Sequence, residues 1–257
     1  MSLPATRLSK YLLLTVALAQ LAVVPAQAQT KITKCGTEIK LPGAYVLAND
    51  LLNCPVDGVD ITITHVTLEL GNHQITGSGT GSGIRVTRQS PYFSMNVIIH
   101  GPGTISNFDK GIEIVDSKDG EVSGVTCTGN NTGFVFQRLR DAWNNLIHDN
   151  IATMNHGVGF EINGDWSHYE RNQSNQNGGS GFVVTANDGR NNFVNNNTAD
   201  QNGRDGIEAE SGAVYNMIYE NHATGNSILD LADDNSEGCP NTWYHNIFSS
   251  SNKKCIQ

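Results

Sequence analysis

The chain has 257 residues, 16 of them basic and 25 acidic, for a formal net charge of −9. That balance argues against a nucleic-acid backbone or an anionic membrane face as the main partner. Hydrophobic content of 38% is too high, at this charge, for a disordered chain. The 27 Gly and 29 Asn, with 26 of the Asn from Asn96 onward, point to a regular, turn-rich β structure.

The first segment reads as an address. Arg7 and Lys10 precede a 14-residue apolar run from Tyr11 to Val24, and Ala26-Gln27-Ala28 follows at the spacing of a cleavage site. Charge, apolar stretch and small-x-small in that order make residues 1–28 a secretory signal peptide. The run is short of the roughly 20 apolar residues that cross a bilayer, so no membrane span is expected and the protein is assigned to the periplasm or the exterior.

Cysteine usage suits that destination. Cys35 and Cys54 bracket one end of the remaining chain, Cys239 and Cys255 the other, and Cys127 stands alone between them. Five cysteines do not fix a connectivity, but the two short-range pairs are the simplest choice. Zinc would need a C-x₂₋₄-C pair, and there is none. Cys127, in Val125-Thr126-Cys127-Thr128, reads as a small buried apolar residue.

The strongest signal is an internal repeat. A unit of Gly, apolar, any residue, apolar begins at Gly83, Gly111, Gly133, Gly159, Gly181 and Gly206, and Ile228-Leu229-Asp230-Leu231 continues it without the glycine. A second unit, Asn-x-apolar-x-x-Asn, runs from Asn145 to Asn150, Asn192 to Asn197 and Asn216 to Asn221, with His168 to Gln173 in the missing slot. Asn130, Asn155, Asn177, Asn202 and Asn226 form a further column. Starts 22 to 28 residues apart mean short strands and tight turns stacked coil on coil, each coil burying its apolar side only against its neighbours. Leucine-rich repeats need a Leu framework absent here, and paired helices need far fewer Gly and Asn. The remaining solution is a parallel β-helix with coils about 4.8 Å apart, right-handed as parallel crossovers are. Its Asn columns form amide ladders at the turns.

These repeats resemble the right-handed parallel β-helix proteins of the pectin-lyase-like group, within the carbohydrate-binding and sugar-hydrolase class of repeats. So do Cys35-Gly36-Thr37, Pro42-Gly43-Ala44-Tyr45-Val46-Leu47, Val66-Thr67-Leu68-Glu69-Leu70 and Gly71-Asn72-His73-Gln74-Ile75-Thr76-Gly77. The resemblance covers nearly all of residues 29–257. It implies one all-β domain, a single-stranded β-solenoid, with a cap over 29–56, coils over 57–232 and a second cap over 233–257, each cap closed by its disulfide. It also implies an extracellular polysaccharide or other glycan as partner, and a monomer. Members of the group include lyases, epimerases, hydrolases and proteins without activity.

Chemistry has to come from the outward columns. After the glycine, one column reads Arg85, Glu113, Val135, Glu161, Val183, Glu208, Asp230; two positions on, another reads Thr87, Val115, Gln137, Asn163, Thr185, Glu210, Ala232. Carboxyls on adjacent coils, such as Glu208 and Asp230, would lie about 5 Å apart, which suits a retaining glycosidase or a Ca²⁺ site; two coils give nearly 10 Å, at the upper edge of the inverting range. Ca²⁺ is therefore the one candidate cofactor, and no residue set is assigned to a metal. A lyase or epimerase instead needs a cation for the uronate carboxylate and a base beside C5. Glu161, Asp165 and His168 are candidates for the chemistry, and Arg138, Arg140, Trp166, Tyr169 and Arg190 for binding the sugar. For all of these the plain alternative is a solvated acidic face and polar turns.

The active-site patterns of the group do not transfer. Asp233-Asp234 and Asn155-His156-Gly157 are the only echoes of the polygalacturonase motifs, and both the Asp-Pro-His-Asp of alginate epimerases and the Ca²⁺-binding nonapeptide are absent. Two readings remain, a small exported enzyme acting on polysaccharide and a non-catalytic glycan-binding or structural envelope protein. A metal-handling helper of the kind seen among copper-maturation β-helix proteins is a weaker third, because the His residues are scattered.

Overall fold

A computed structural model describes residues 29–87, 95–138, 143–186, 189–236 and 238–257. The expected signal peptide and Arg140 lie outside the described residues. Apolar residues alternating over three to six positions make short strands, and these stack in parallel into two sheets. The nine-stranded sheet runs through Lys110–Val115, Thr132–Gln137, Phe160–Asn163, Phe182–Val184, Ile207–Ala209 and Leu231–Asp233. The sixteen-stranded sheet forms the other two sides of each coil as two files, which share the long strands Val97–Ser106 and Glu121–Thr128. In the coils that follow, each long strand is replaced by two three-residue strands, for example Leu146–His148 and Ile151–Thr153. The solenoid is right-handed and all-β, and among the described residues no helix is long and apolar enough to cross a membrane.

The corners before and between those short strands share one recurring device. Asn144, Asp149, Arg171, Asn191, Asn196 and Glu220 are left-handed, with φ between 53° and 57°, and each of them precedes an inward-turning Asn. One left-handed residue bends the chain between strands, and the next side chain points at the axis. Its amide then bonds the coil above. In one ladder Asn150, Asn172, Asn197, Asn221 and Asn246 follow one another, each Nδ2 donating to the next Oδ1 at 3.0 to 3.1 Å. Asn130, Asn155, Asn177, Asn202 and Asn226 form a second. Asn192, Asn216 and Asn241 form a third. The second Nδ2 hydrogen of each takes a backbone carbonyl, as Asn197 does on Tyr169 at 2.8 Å, so the buried amides are satisfied. The ladder member between Asn150 and Asn197 is thus Asn172, one residue before the Gln173 expected from the sequence.

Between the ladders lies a continuous apolar interior. Ile84, Ile112, Phe134, Phe160, Phe182, Ile207 and Leu231 stand in one register and are fully buried. The Phe134, Phe160 and Phe182 rings stack face to face at 4.5 and 4.7 Å, and burying each contributes about 1.5–3 kcal/mol. On the opposite side small residues make room: Cys127 sits between Ile105 and Ala152, with its thiol pushed up by complete burial. The repeated glycines mark the tightest point. A Cβ at Gly159 would lie 2.7 Å from the Gly181 carbonyl, and one at Gly181 would lie 2.6 Å from that of Gly206.

Cys35–Cys54 and Cys239–Cys255 are disulfide-bonded, with Cα–Cα separations of 5.3 and 6.3 Å. Both end segments also carry strands in register with the stack: Thr37–Ile39 pairs with Val59–Ile61, and Thr242–Tyr244 pairs with Met217–Tyr219.

Candidate functional site

Outward residues of the nine-stranded sheet form a wall. Its register runs Arg85, Glu113, Val135, Glu161, Val183, Glu208, Ala232. The next outward column continues through Gln137, Asn163, Thr185 and Glu210 to Asp234, whose N–H bonds the Ala209 carbonyl. The expected last members, Asp230 and Ala232, are therefore two residues out of step. Asp230 takes the slot of the repeated glycine and turns inward, 2% exposed. Its Oδ1 accepts from Asn226 Nδ2 at 3.0 Å, and its Oδ2 accepts from the N–H groups of Ser249 and Ser250 at 2.9 and 3.2 Å. It ends a ladder and cannot serve as a catalytic partner of Glu208, and the adjacent-coil carboxyl pair that suggested Ca²⁺ does not form. Among the described residues no group of three or more His, Cys, Asp or Glu is set to hold a metal ion.

The upper half of this wall holds an open trough of about 340 Å³. Glu161, Glu208 and Glu210 line it together with Arg204, Ser180 and Asn163. Glu161 and Glu208 lie two rungs apart across Val183, or about 9.6 Å along the axis at the usual strand spacing. Burial pushes both carboxyls above the ordinary range. Lys110 acts against that shift at Glu161, while Glu210 and Glu113 add to it. At Glu208 the Ser180 hydroxyl, which donates to Oε2 at 2.8 Å, and the Arg204 charge act against the shift, while Asp205 and Asp234 add to it. Glu210 accepts the Ala186 N–H at 2.9 Å. Lower on the wall Glu113 is engaged by Arg85, Lys110 and Ser82, so the carboxylate character concentrates in the trough.

The remaining expected residues do not join it. Asp165 sits at the corner where the two sheets meet, in an ion pair with Arg138 and with Arg190 Nε 3.9 Å away. His168 faces outward on the sixteen-stranded sheet, stacked on Phe193 at 4.5 Å. Tyr169 points the other way: it lies in the interior file between Ile147 and Val194, 1% exposed, with its ring edge-on to Phe136. It has no surface to offer a sugar. Trp166 is exposed at its corner. Sequence reasoning passed over Arg204 and Ser180, which no repeat column singles out. It also passed over Tyr215, which takes the corner slot that Asn144 and Asn191 take in other coils and was therefore visible as an exception.

Comparison with known proteins agrees with this architecture. The family model described as the right-handed beta helix region matches residues 56–228. No curated protein matches the chain in sequence. Among solved structures, the A-module of the Azotobacter vinelandii mannuronan C-5 epimerase AlgE6 superposes with a TM-score of 0.51 at 15% identity, over 80% of this chain and 66% of that module. The A-module of AlgE4 from the same organism gives 0.43 at 17% identity, over 75% of this chain and 63% of that module. The chain thus spans just under two thirds of each, and at these identities the likeness is one of fold. With the family model covering most of the solenoid, the chain belongs to the right-handed β-helix family.

Proposed function

We propose that this protein acts on extracellular polysaccharide held in the trough of the nine-stranded sheet, with Glu161 and Glu208 as its acid–base pair. The observation that carries this reading is that two carboxyls, each pushed up by burial, face one polar trough two rungs apart. A carboxyl whose affinity for its proton is raised by burial is suited to act as general acid, and its partner can activate water from across the sugar. Their axial separation of about 9.6 Å falls just beyond the roughly 6.5–9.5 Å that leaves room for that water and far from the roughly 5–5.5 Å of retaining enzymes, which favours hydrolysis with inversion. Arg204 supplies the cation that a lyase or epimerase would need, but His168 and Asp165 lie outside the trough as its candidate base. A mannuronan C-5 epimerase is among the proteins that share the fold, which makes polysaccharide the first substrate class to try. Two disulfides suit an oxidising compartment outside the cytosol.

The non-catalytic reading has its own support: Asp165 is held in an ion pair and Asp230 and Tyr169 are built into the interior. A panel of neutral and uronic-acid polysaccharides separates the two. Reducing-end release and the ultraviolet absorbance of unsaturated uronates read turnover, and retardation in glycan-loaded native gels reads binding. Glu161→Gln and Glu208→Gln should each abolish turnover with retardation kept; a substrate turned over equally well by both variants would remove the acid–base pair.

A further inference from the structure

A second surface of the solenoid has the make-up of a ligand site. On the sixteen-stranded sheet the corner slot just before the inward ladder is occupied in successive coils by Asn144, Trp166, Asn191 and Tyr215. All four are left-handed, with φ of 57°, 50°, 55° and 62°. Asn adopts this backbone readily, whereas a bulky aromatic there is an outlier held at a cost. Trp166 and Tyr215 nevertheless occupy it while 54% and 68% exposed, so the packing of the coil does not account for their rings. Beside them on the same face, Phe193 stacks on His168 and pairs in register with Met217. One column further, Tyr219 and Tyr244 stack at 4.8 Å. Together the exposed Trp166 and Tyr215 and the half-buried His168, Phe193, Tyr219 and Tyr244 form an aromatic strip parallel to the solenoid axis, on a different side from the acidic trough.

We infer that this strip binds a neutral, extended β-1,4-linked glycan, independently of the trough. Aromatic rings present flat apolar platforms to the C–H faces of sugar rings. Trp166 and Tyr215 stand two rungs apart, about 9.6 Å, which is close to the two-residue repeat of such a ribbon-like polymer. Every second sugar would therefore offer the same face to an aromatic ring. Asn191, half-exposed between them in the same slot, puts an amide within the span of one sugar, where hydroxyls need hydrogen-bond partners. The net charge of −9 repels polyanions, so the neutral members of this polymer class are the fitting ones.

The substitution that tests this is supplied by the repeat itself. Trp166→Asn with Tyr215→Asn gives those coils the residue found at Asn144 and Asn191, and the fold is expected to be retained, as read by circular dichroism and melting. The purified protein is run in native gels containing hydroxyethyl cellulose, glucomannan, dextran or alginate. The expected result is retardation by the two β-1,4-linked neutral polymers and not by dextran or alginate. The double variant should bind at least about tenfold more weakly, and Glu161→Gln with Glu208→Gln should migrate as the parent does. The inference is overturned if the parent is not retarded by either neutral polymer, or if the aromatic variant is retarded equally. It is also overturned if the trough variant loses retardation, which would place the glycan there. Finally, a concentration-dependent dimer in sedimentation that the aromatic variant abolishes would make a second copy of the chain the occupant.

Discussion

Replacing Asn197 by Ala tests whether the amide ladders hold the solenoid together. Asn197 is 1% exposed, and its side chain makes four bonds. Oδ1 accepts the Asn172 N–H at 2.9 Å and the Asn172 Nδ2 at 3.1 Å, while Nδ2 donates to the Tyr169 carbonyl at 2.8 Å and to Asn221 Oδ1 at 3.0 Å. Asn221 Oδ1 keeps a donor after truncation, because the Asn197 N–H also reaches it at 3.0 Å. Two groups are left orphaned in a dry interior, the Asn172 N–H and one Asn172 amide hydrogen, whereas the Tyr169 carbonyl keeps the Asn195 N–H of its parallel strand pair. At about 1–3 kcal/mol for each unsatisfied group, and with some relaxation around the void, the loss comes to about 2–5 kcal/mol. Equilibrium denaturation in urea, followed by fluorescence and circular dichroism, measures it. Asn197→Ser should cost less, because Ser167 already fills a ladder slot by accepting the Asn145 N–H at 3.2 Å. A loss for Asn197→Ala below about 1 kcal/mol, the size of a single ordinary hydrogen bond, would show that the stacked apolar files carry the stability without the amides.

Two further outcomes follow from the interior. At Asp230 burial alone would raise the carboxyl, but the N–H groups of Ser249, Asn226 and Ser250 and the Asn226 amide outweigh it and lower its pKa. The carboxylate thus contributes stability that is complete above its unfolded pKa of about 3.9 and is lost as pH falls through its lower folded value. Asp230→Asn should be about 1.5–3 kcal/mol less stable at pH 7, the range for hydrogen bonds to a charged group, and the gap should close below about pH 4 in melts across pH; a gap independent of pH refutes it. For the cysteines, alkylation of unreduced protein should label no thiol in the native state and one, Cys127, in denaturant, because Cys127 is buried and the other four are bridged. More than one label by mass spectrometry would contradict that pairing.

The interior was legible in the sequence because its signals reinforce one another. Gly before each strand, an apolar residue next and Asn at the corners keep step, so Ile112, Phe134, Phe160, Phe182 and Ile207 are in one buried file, as the repeat implies. Legibility failed where one signal was exchanged for a chemical equivalent. Ser167 replaces a ladder Asn; once it is accepted, Tyr169 takes the inward apolar place of its strand and leaves the candidate site. Asp230 replaces the repeated glycine where the solenoid runs out, and reading Ile228 as the start of that unit put Asp230 on the outer wall. The trough was half legible: Glu161 and Glu208 follow from the alternation, whereas their depth and their neighbours Arg204 and Ser180 depend on how loops of different coils fold over the wall, which no period encodes.

The direction of the ladders explains why acids stand at their ends. Along each ladder the Nδ2-to-Oδ1 bonds all point toward the C-terminal coil, so a ladder arriving at the last coil presents a donor that another Asn would only pass on. An acceptor that does not donate has to stop it. Asp230 accepts from Asn226, Asp233 accepts from Asn241 at 3.0 Å, and the Gln257 carbonyl accepts from Asn246 at 3.0 Å. Asp233 is fully buried and also takes the Trp243 indole N–H at 3.1 Å and the Asn235 amide at 2.9 Å, with Lys253 nearby at 3.7 Å. A final rung built from Asn would expose an unpaired donor column beside open strand edges, the arrangement that invites a second chain to add on. Carboxylates in the last coil therefore terminate both the hydrogen-bond polarity and the tendency of the stack to grow. The outer walls take no part in that termination, which leaves the trough and the aromatic strip free to differ from coil to coil.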